Sequence, residues 1–380
     1  MTDSTAPLGG VSFPMQRGPY QNNGASPWYT ETTLGTPGQT LKFAIDTGTN
    51  MVWSTSTLCA PTSCQHYSGA RFDYQKSSTY TWVDCIQVPF SFGPWGTMQV
   101  ETGQDFLGLP GGVRLPLVLY LSADYTGDQF AQLDWDGGIG IPSGSPYKQG
   151  DTTFIVQDMM NKGLISPNLP YVAFDWNAAT STGSCLIGGV DPAKYIPDEG
   201  IFLPWTPYTQ FAGVEYIWSA DLKAYFVGNQ LVAQNVQFAL DSGSSQFKGD
   251  DDIMNKTLSL LQAMGNPPVR MGFADGGMIT IPSNLYNVTI QAGPDKGKTL
   301  PQFQPLGLTG LVLVGSVVME SCYTVHEYRV VQCGANRFSL APVGMYVFNK
   351  PGGPKIVTPP SSGIGRPFGQ REVVRGRTME

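Results

Sequence analysis

Ala44-Ile45-Asp46-Thr47-Gly48-Thr49 and Ala239-Leu240-Asp241-Ser242-Gly243-Ser244 say nearly the same thing in two places. In each, an apolar strand ending runs into an aspartate, a small hydroxyl residue, a glycine and a second hydroxyl residue. The aspartates lie 195 residues apart in a chain of 380, a spacing that leaves each about one lobe of sequence. A lone Asp-Thr-Gly does no more than close an Asx turn. A pair at this separation points to a duplicated unit that brings two carboxylates together across a pseudo-two-fold axis.

The surroundings repeat as well. Residues 27–54 read as strand, Gly35-Thr36-Pro37-Gly38 turn, strand; residues 215–245 run through Tyr216-Ile217-Trp218, Tyr225-Phe226-Val227 and Gly228-Asn229 to Val236–Leu240. Alternating β-branched and aromatic residues broken by Pro-Gly or Gly-Asn are hairpin signals. Charged residues make up only 13% while Gly numbers 46 and Pro 30, a turn-rich composition that suits a mainly β chain. Helix is scarce, and is predicted most clearly at Thr152–Lys162 and at Asp251–Met264, where Leu258, Leu260 and Leu261 recur and Gly265 stops the run.

A lobe boundary is expected near Asp191–Glu199, giving lobes at 1–190 and 191–347. From there to 380 a basic tail rich in Pro, Gly and Ser has too few apolar residues to build a core and is expected to be flexible. The net charge of −7 argues against nucleic acid and anionic membrane as partners. No apolar run reaches the roughly 18 residues that cross a bilayer. Met1-Thr2-Asp3-Ser4-Thr5-Ala6 lacks the basic start and apolar stretch of a secretory signal. Either the chain is intracellular or its signal has been removed.

Six cysteines allow pairing. Cys59 and Cys64 close a short loop, Cys322 and Cys333 flank a possible hairpin, and Cys85 and Cys185 then remain for each other; six unpaired thiols are the alternative. Asn255-Lys256-Thr257 and Asn287-Val288-Thr289 have the form of glycosylation acceptors. The histidines, His66 and His326, stand in no metal-ligand spacing, so neither a metal nor another cofactor is expected.

Two carboxylates in contact cannot both ionise cheaply, so one keeps its proton while the other is a base. Water held between them can be deprotonated as it attacks a carbonyl, while the protonated partner donates to the carbonyl oxygen. Glycines 48 and 243 let the turns approach without Cβ clashes. Thr47 and Ser242 are placed to bond across the axis, and Thr49 and Ser244 to hold the carboxylates flat.

From about Trp28 to Val343 the chain resembles the pepsin-like aspartic proteases. Trp53 stands seven residues after Asp46, Cys59–Cys64 matches that family's small disulfide loop, and Phe72-Asp73 with Lys76-Ser77-Ser78-Thr79-Tyr80 matches the stretch ahead of the flap. Asp136-Gly137-Gly138-Ile139-Gly140-Ile141 is similar to the element bracing the first aspartate turn; Leu311–Gly315, Tyr323-Thr324-Val325 and Phe338–Val343 resemble the closing strands. The resemblance implies a mainly β, bilobal, pepsin-like fold: two pseudo-symmetric β-barrel-like lobes flanking a central cleft, with few short helices. It also implies catalysis by Asp46 and Asp241 on a peptide or protein substrate bound in extended form, in a monomer that is secreted, lumenal or vacuolar. The chain departs from the family pattern at the flap, Val88-Pro89-Phe90-Ser91-Phe92-Gly93-Pro94-Trp95-Gly96, where by register Phe92 takes the place of the usual Tyr near Trp53. It departs again at Gln246-Phe247-Lys248, where apolar residues are usual, and at Ser316, where an acid is. Phe90, Phe92, Gly93 and Trp95, with Phe106 and Leu133, are expected to make an apolar cleft. Peptide hydrolysis is the leading expectation; the alternative keeps the aspartate pair as general acid and base on a small molecule, in a cyclisation or dehydration.

Overall fold

The computed structural model describes residues 9–92, 95–125, 127–144 and 152–366, and the backbone of 374–375. Strands β1 (Val11–Arg17), β2 (Trp28–Leu34), β3 (Gln39–Asp46), β4 (Val52–Thr55), β5 (Thr81–Ser91), β6 (Thr97–Gly108), β7 (Arg114–Tyr125) and β8 (Gly137–Gly140) build the first lobe. In β3 the period-two pattern sends Leu41, Phe43 and Ile45 into the core, and the strand ends at Asp46. The glycine-rich β8 then runs parallel to β3, with Ile139 beside Ile45 and Gly140 beside Asp46, and antiparallel to β4, with Ile139 opposite Val52.

Strands β9 (Tyr171–Asn177), β10 (Thr182–Ile187) and β11 (Gly200–Pro204) lead into the second lobe. That lobe is made from β12 (Ser219–Val227), β13 (Gln230–Leu240), β14 (Phe247–Gly249), β15 (Val269–Gly272), β16 (Met278–Ile281), the small pair β17 (Asn287–Thr289) and β18 (Thr299–Pro301), β19 (Phe303–Pro305) and β20 (Leu311–Val314). The bracing arrangement recurs. Strand β20 is parallel to β13, with Val314 beside Leu240, and antiparallel to β14, with Val314 opposite Phe247. The two registers superpose Ile45 on Leu240, Val52 on Phe247 and Trp53 on Lys248. The fold is therefore mainly β, bilobal and pepsin-like.

Long strands β21 (Cys322–Gly334) and β22 (Arg337–Asn349) join β11, β9, β10 and β1 in one sheet, in the order β11-β22-β21-β9-β10-β1, which ties the halves together beneath the site. Trp28 and Trp176 stack across it with ring centroids 5.2 Å apart. No helix among the described residues is long and apolar enough to cross a membrane.

Helix Asp251–Met264 forms where expected, with the Asp250 carboxylate accepting from the Ile253 amide and Gly265 left-handed at its end. Its core face is Ile253, Met254, Thr257 and Leu261, while Leu258 and Leu260 are only partly buried. Thr257 of the Asn255 triplet is thus inside the fold. The other predicted helix is shorter, Ile155–Asn161. Thr152 and Thr153 are drawn off instead to accept from the amides of Val52 and Val118 at 2.9 and 2.8 Å.

Three expectations need correction. Cys59 and Cys64 form a disulfide, but Cys85, Cys185, Cys322 and Cys333 are free. Cys322 and Cys333 lie on the single continuous strand β21, not on either side of a hairpin, so roughly 36 Å of extended chain separates them. Cys85 is exposed on β5, whereas Cys185 is buried in β10 between Phe13 and Phe174 of its neighbouring strands. The tail is not wholly loose either. Ile356 and Val357 are buried, strand β23 (Val357–Thr358) pairs with β16, and Arg366 forms an ion pair with the buried Glu327. Backbone 374–375 runs parallel beside Val331 and Gln332; the rest of the tail beyond Arg366 lies outside the described residues, as does Gly93 at the flap.

Candidate functional site

The two aspartate turns meet between the lobes. The Thr47 amide donates to Ser242 Oγ at 2.9 Å and the Ser242 amide to Thr47 Oγ1 at 2.9 Å; the hydroxyls pass their own protons to the carbonyls of Leu240 and Ile45, at 3.1 and 2.6 Å. Each hydroxyl thus accepts from the opposite turn and donates into the strand ending there, and all four groups are buried, where hydrogen bonds are most costly to lose. The glycines make the approach possible. A Cβ on Gly48 would stand 2.4 Å from Asp241 Oδ1, and one on Gly243 would stand 2.3 Å from the Asp46 carboxyl, well inside contact distance.

The Gly48 amide donates to Asp46 Oδ1 at 2.8 Å, and the Gly243 amide to Asp241 Oδ1 at 2.9 Å. Here the symmetry ends. Ser244 Oγ donates to Asp241 Oδ2 at 2.6 Å, whereas Thr49 Oγ1, expected to do the same for Asp46, is buried without a hydrogen bond. Burial between the lobes, and then the neighbouring charge of Asp241, push the Asp46 pKa well above the usual carboxylate range; the Gly48 amide and Lys248 act against this. Two carboxyls in such contact favour a form in which one is protonated, a form able both to donate and to accept.

A family model described as eukaryotic aspartyl protease matches residues 27–342. The chain belongs to that family. Chymosin of Bos taurus is 26% identical over 326 residues, covering 81% of this chain and 80% of the bovine protein. Gastricsin of Mus musculus is 25% identical over 334 residues, covering 83% of this chain and 80% of the mouse protein.

The two carboxyls face a cavity of about 110 Å³ whose walls come from both lobes and the flap. Trp53, Phe92 and Trp95 line it, and Phe92 stands edge-on to Trp53 with centroids 5.8 Å apart. A phenyl ring supplies contact area there but no hydrogen bond. Trp95 packs edge-on to Phe130 at 4.6 Å and donates its indole N–H to the Asn23 carbonyl at 3.2 Å, which ties the flap tip to the loop before β2. Phe90 lies behind Phe92, its ring 5.6 Å from Tyr120. Phe106 and Leu133 are not cleft residues: Phe106 sits under the Arg114 guanidinium and Leu133 belongs to the buried cluster beneath the flap.

Trp135, Tyr216 and Ile217, which the sequence did not mark as site residues, and Lys248, which it marked as a departure from the family pattern, all stand in the wall of this cavity. Only Lys248 carried a signal. A cation in a short strand between Phe247 and Gly249, seven residues after the second aspartate as Trp53 is after the first, has to be either solvated or paired. It is 3% exposed. Burial brings its pKa down to about 8 against the opposing pull of Asp241 and Asp46.

Proposed function

We propose that this protein is an aspartic endopeptidase in which Asp46 and Asp241 activate a water for attack on a peptide carbonyl. The observation that carries the reading is the pair itself: two carboxyls pressed together by reciprocal hydroxyl bonds, one with its pKa driven upward. The deprotonated member takes the proton of the attacking water, and the protonated member donates to the carbonyl oxygen as it becomes an alkoxide. The tetrahedral carbon then collapses, with a proton passed to the departing amine. The flap hairpin β5–β6 and the loop at 23–25 offer an extended peptide its contacts, and Phe92, Trp95 and Ile217 favour apolar side chains beside the cut. We place the lobe boundary near 191–199 and read the chain as a monomer. A secretory, lumenal or vacuolar site is supported by the Cys59–Cys64 disulfide.

Digestion of denatured protein from acid to neutral pH, with and without a statine-type inhibitor, tests the activity. Wild type should give inhibitor-sensitive fragments, and Asp46→Asn and Asp241→Asn should each lose roughly 10²–10⁴-fold in kcat with the circular dichroism spectrum kept. Absence of inhibitor-sensitive cleavage at every pH overturns the peptidase reading. Phe92 at the flap then favours the second one, general acid–base work by the same pair on a small molecule.

A further inference from the structure

Lys248 occupies in the second lobe the position that Trp53 occupies in the first, and so sets a cation where the other lobe has an indole. Its Nζ donates to the Gly24 carbonyl at 2.6 Å and to Ser244 Oγ at 3.2 Å, and Ser244 Oγ lies 2.6 Å from Asp241 Oδ2. An ammonium has donors and no acceptor. The Ser244 hydroxyl must therefore accept from Lys248, which leaves its single proton for Asp241. With the Gly243 amide on Oδ1, both oxygens of Asp241 then receive hydrogen bonds and neither is free to hold a proton comfortably. On the other side, Asp46 receives the Gly48 amide and shares a hydrogen bond with Asp241, and Thr49 Oγ1 gives it nothing.

We propose that Lys248 is a positioning residue that fixes the polarity of the pair: by holding the Ser244 hydroxyl as a donor, it makes Asp241 the base and leaves the shared proton on Asp46. The groups around the lysine are consistent with this. The charged or titratable ones facing it are Asp241 and Asp46. Tyr216, from the segment before β12, also feels both carboxyls, and burial pushes its phenol up so that it stays neutral. The loop before β2 contributes the Gly24 carbonyl, and β19 contributes the uncharged Gln304, in register with Lys248. The fit is tight: a Cβ on Gly24, whose φ is +82°, would stand 2.8 Å from Nζ and 3.0 Å from Gln304 Oε1. Below pH of about 8 the site contains a cation.

The proposal rests on the aspartate pair being the reactive centre, so its test includes a readout that needs no turnover. Carboxyl ¹³C resonances of labelled aspartate, assigned with Asp46→Asn and Asp241→Asn, are followed through a pH titration. In wild type the last proton should leave Asp46. In Lys248→Met, which keeps the chain length and removes the charge, the titration of the pair should move up by about one pH unit, roughly tenfold in proton affinity. Both limbs of the kcat/KM profile should move with it. Lys248→Cys alkylated with bromoethylamine restores an ammonium and should restore the profile; Ser244→Ala keeps the cation but removes the relay and should bring the two carboxyls closer in titration. A last proton that leaves Asp241, or a folded Lys248→Met protein that titrates as wild type does, overturns the proposal. Failure to cleave any peptide bears on the proposed activity and leaves these resonances readable.

Discussion

Asp46 is held at its raised pKa by burial and by Asp241, and that has a consequence for stability. A carboxyl whose pKa is higher in the folded chain than in the unfolded one binds its proton more tightly when folded. Its contribution is complete below the ordinary aspartate pKa and is lost as pH rises through the folded value. Melting temperature should therefore fall as pH is raised above about 4, and Asp46→Asn should flatten that slope in differential scanning fluorimetry. An identical slope in the two proteins rules this account out. Phe92 invites the opposite kind of change. Its ring already stands edge-on to Trp53 at 5.8 Å, so Phe92→Tyr adds a hydroxyl to the cavity without rebuilding the flap. One hydrogen bond of ordinary worth, about 1 kcal/mol, should raise kcat/KM on peptides by roughly fivefold; an unchanged value means the missing hydroxyl does not limit turnover. The aspartates, their glycines and the bridging hydroxyls were legible because each is demanded by local chemistry. The unequal roles of Thr49 and Ser244 were not, because both are hydroxyl residues at the same place in the motif.

At the scale of elements, the strand endings carry the design. Strands β3 and β13 stop at their aspartates with β8 and β20 laid beside them in parallel; the glycines of β8 and the apolar run Leu311–Val314 closed by Gly315 announce those contacts in sequence. The helix at Asp251–Met264 was readable for the same reason, with an acidic cap at one end and a left-handed glycine at the other. Cysteine pairing was not, since it depends on where strands lie rather than on how far apart residues are in the chain. Strand β21 runs straight through the region expected to turn, and places Cys322 in the core and Cys333 at the surface. Thiol titration with an aromatic disulfide should find two fast-reacting groups in the native protein, Cys85 and Cys333, four after denaturation and six after reduction as well. Two thiols in the denatured, unreduced chain would mean that a second disulfide exists.

The whole molecule depends on the sheet shared by the two halves. Glu327 of β21 is fully buried, accepts from Tyr346 at 2.7 Å and is met by Arg366, which bonds to its Oε1 through Nε and Nη2 at 3.2 and 2.8 Å. An arginine from the last part of the chain thus neutralises a charge placed inside the fold. Arg366→Ala removes the counter-charge of that carboxylate and should cost roughly 1–3 kcal/mol of stability in urea unfolding; a loss within error would show that this ion pair contributes nothing to stability. Composition alone assigned this stretch to a loose tail, since a few apolar residues and one arginine carry no periodic pattern. What the linear chain settles for this protein is the set of short-range demands: two aspartate turns, their glycines, the alternating strands and the caps. Whether a given hydroxyl donates or accepts, which cysteines can touch, and how a buried lysine sets one carboxyl against the other are decided by tertiary structure. Those properties belong to distances between residues far apart in sequence, such as the 2.6 Å between Lys248 Nζ and the Gly24 carbonyl, and such a distance exists only once the chain has closed around it.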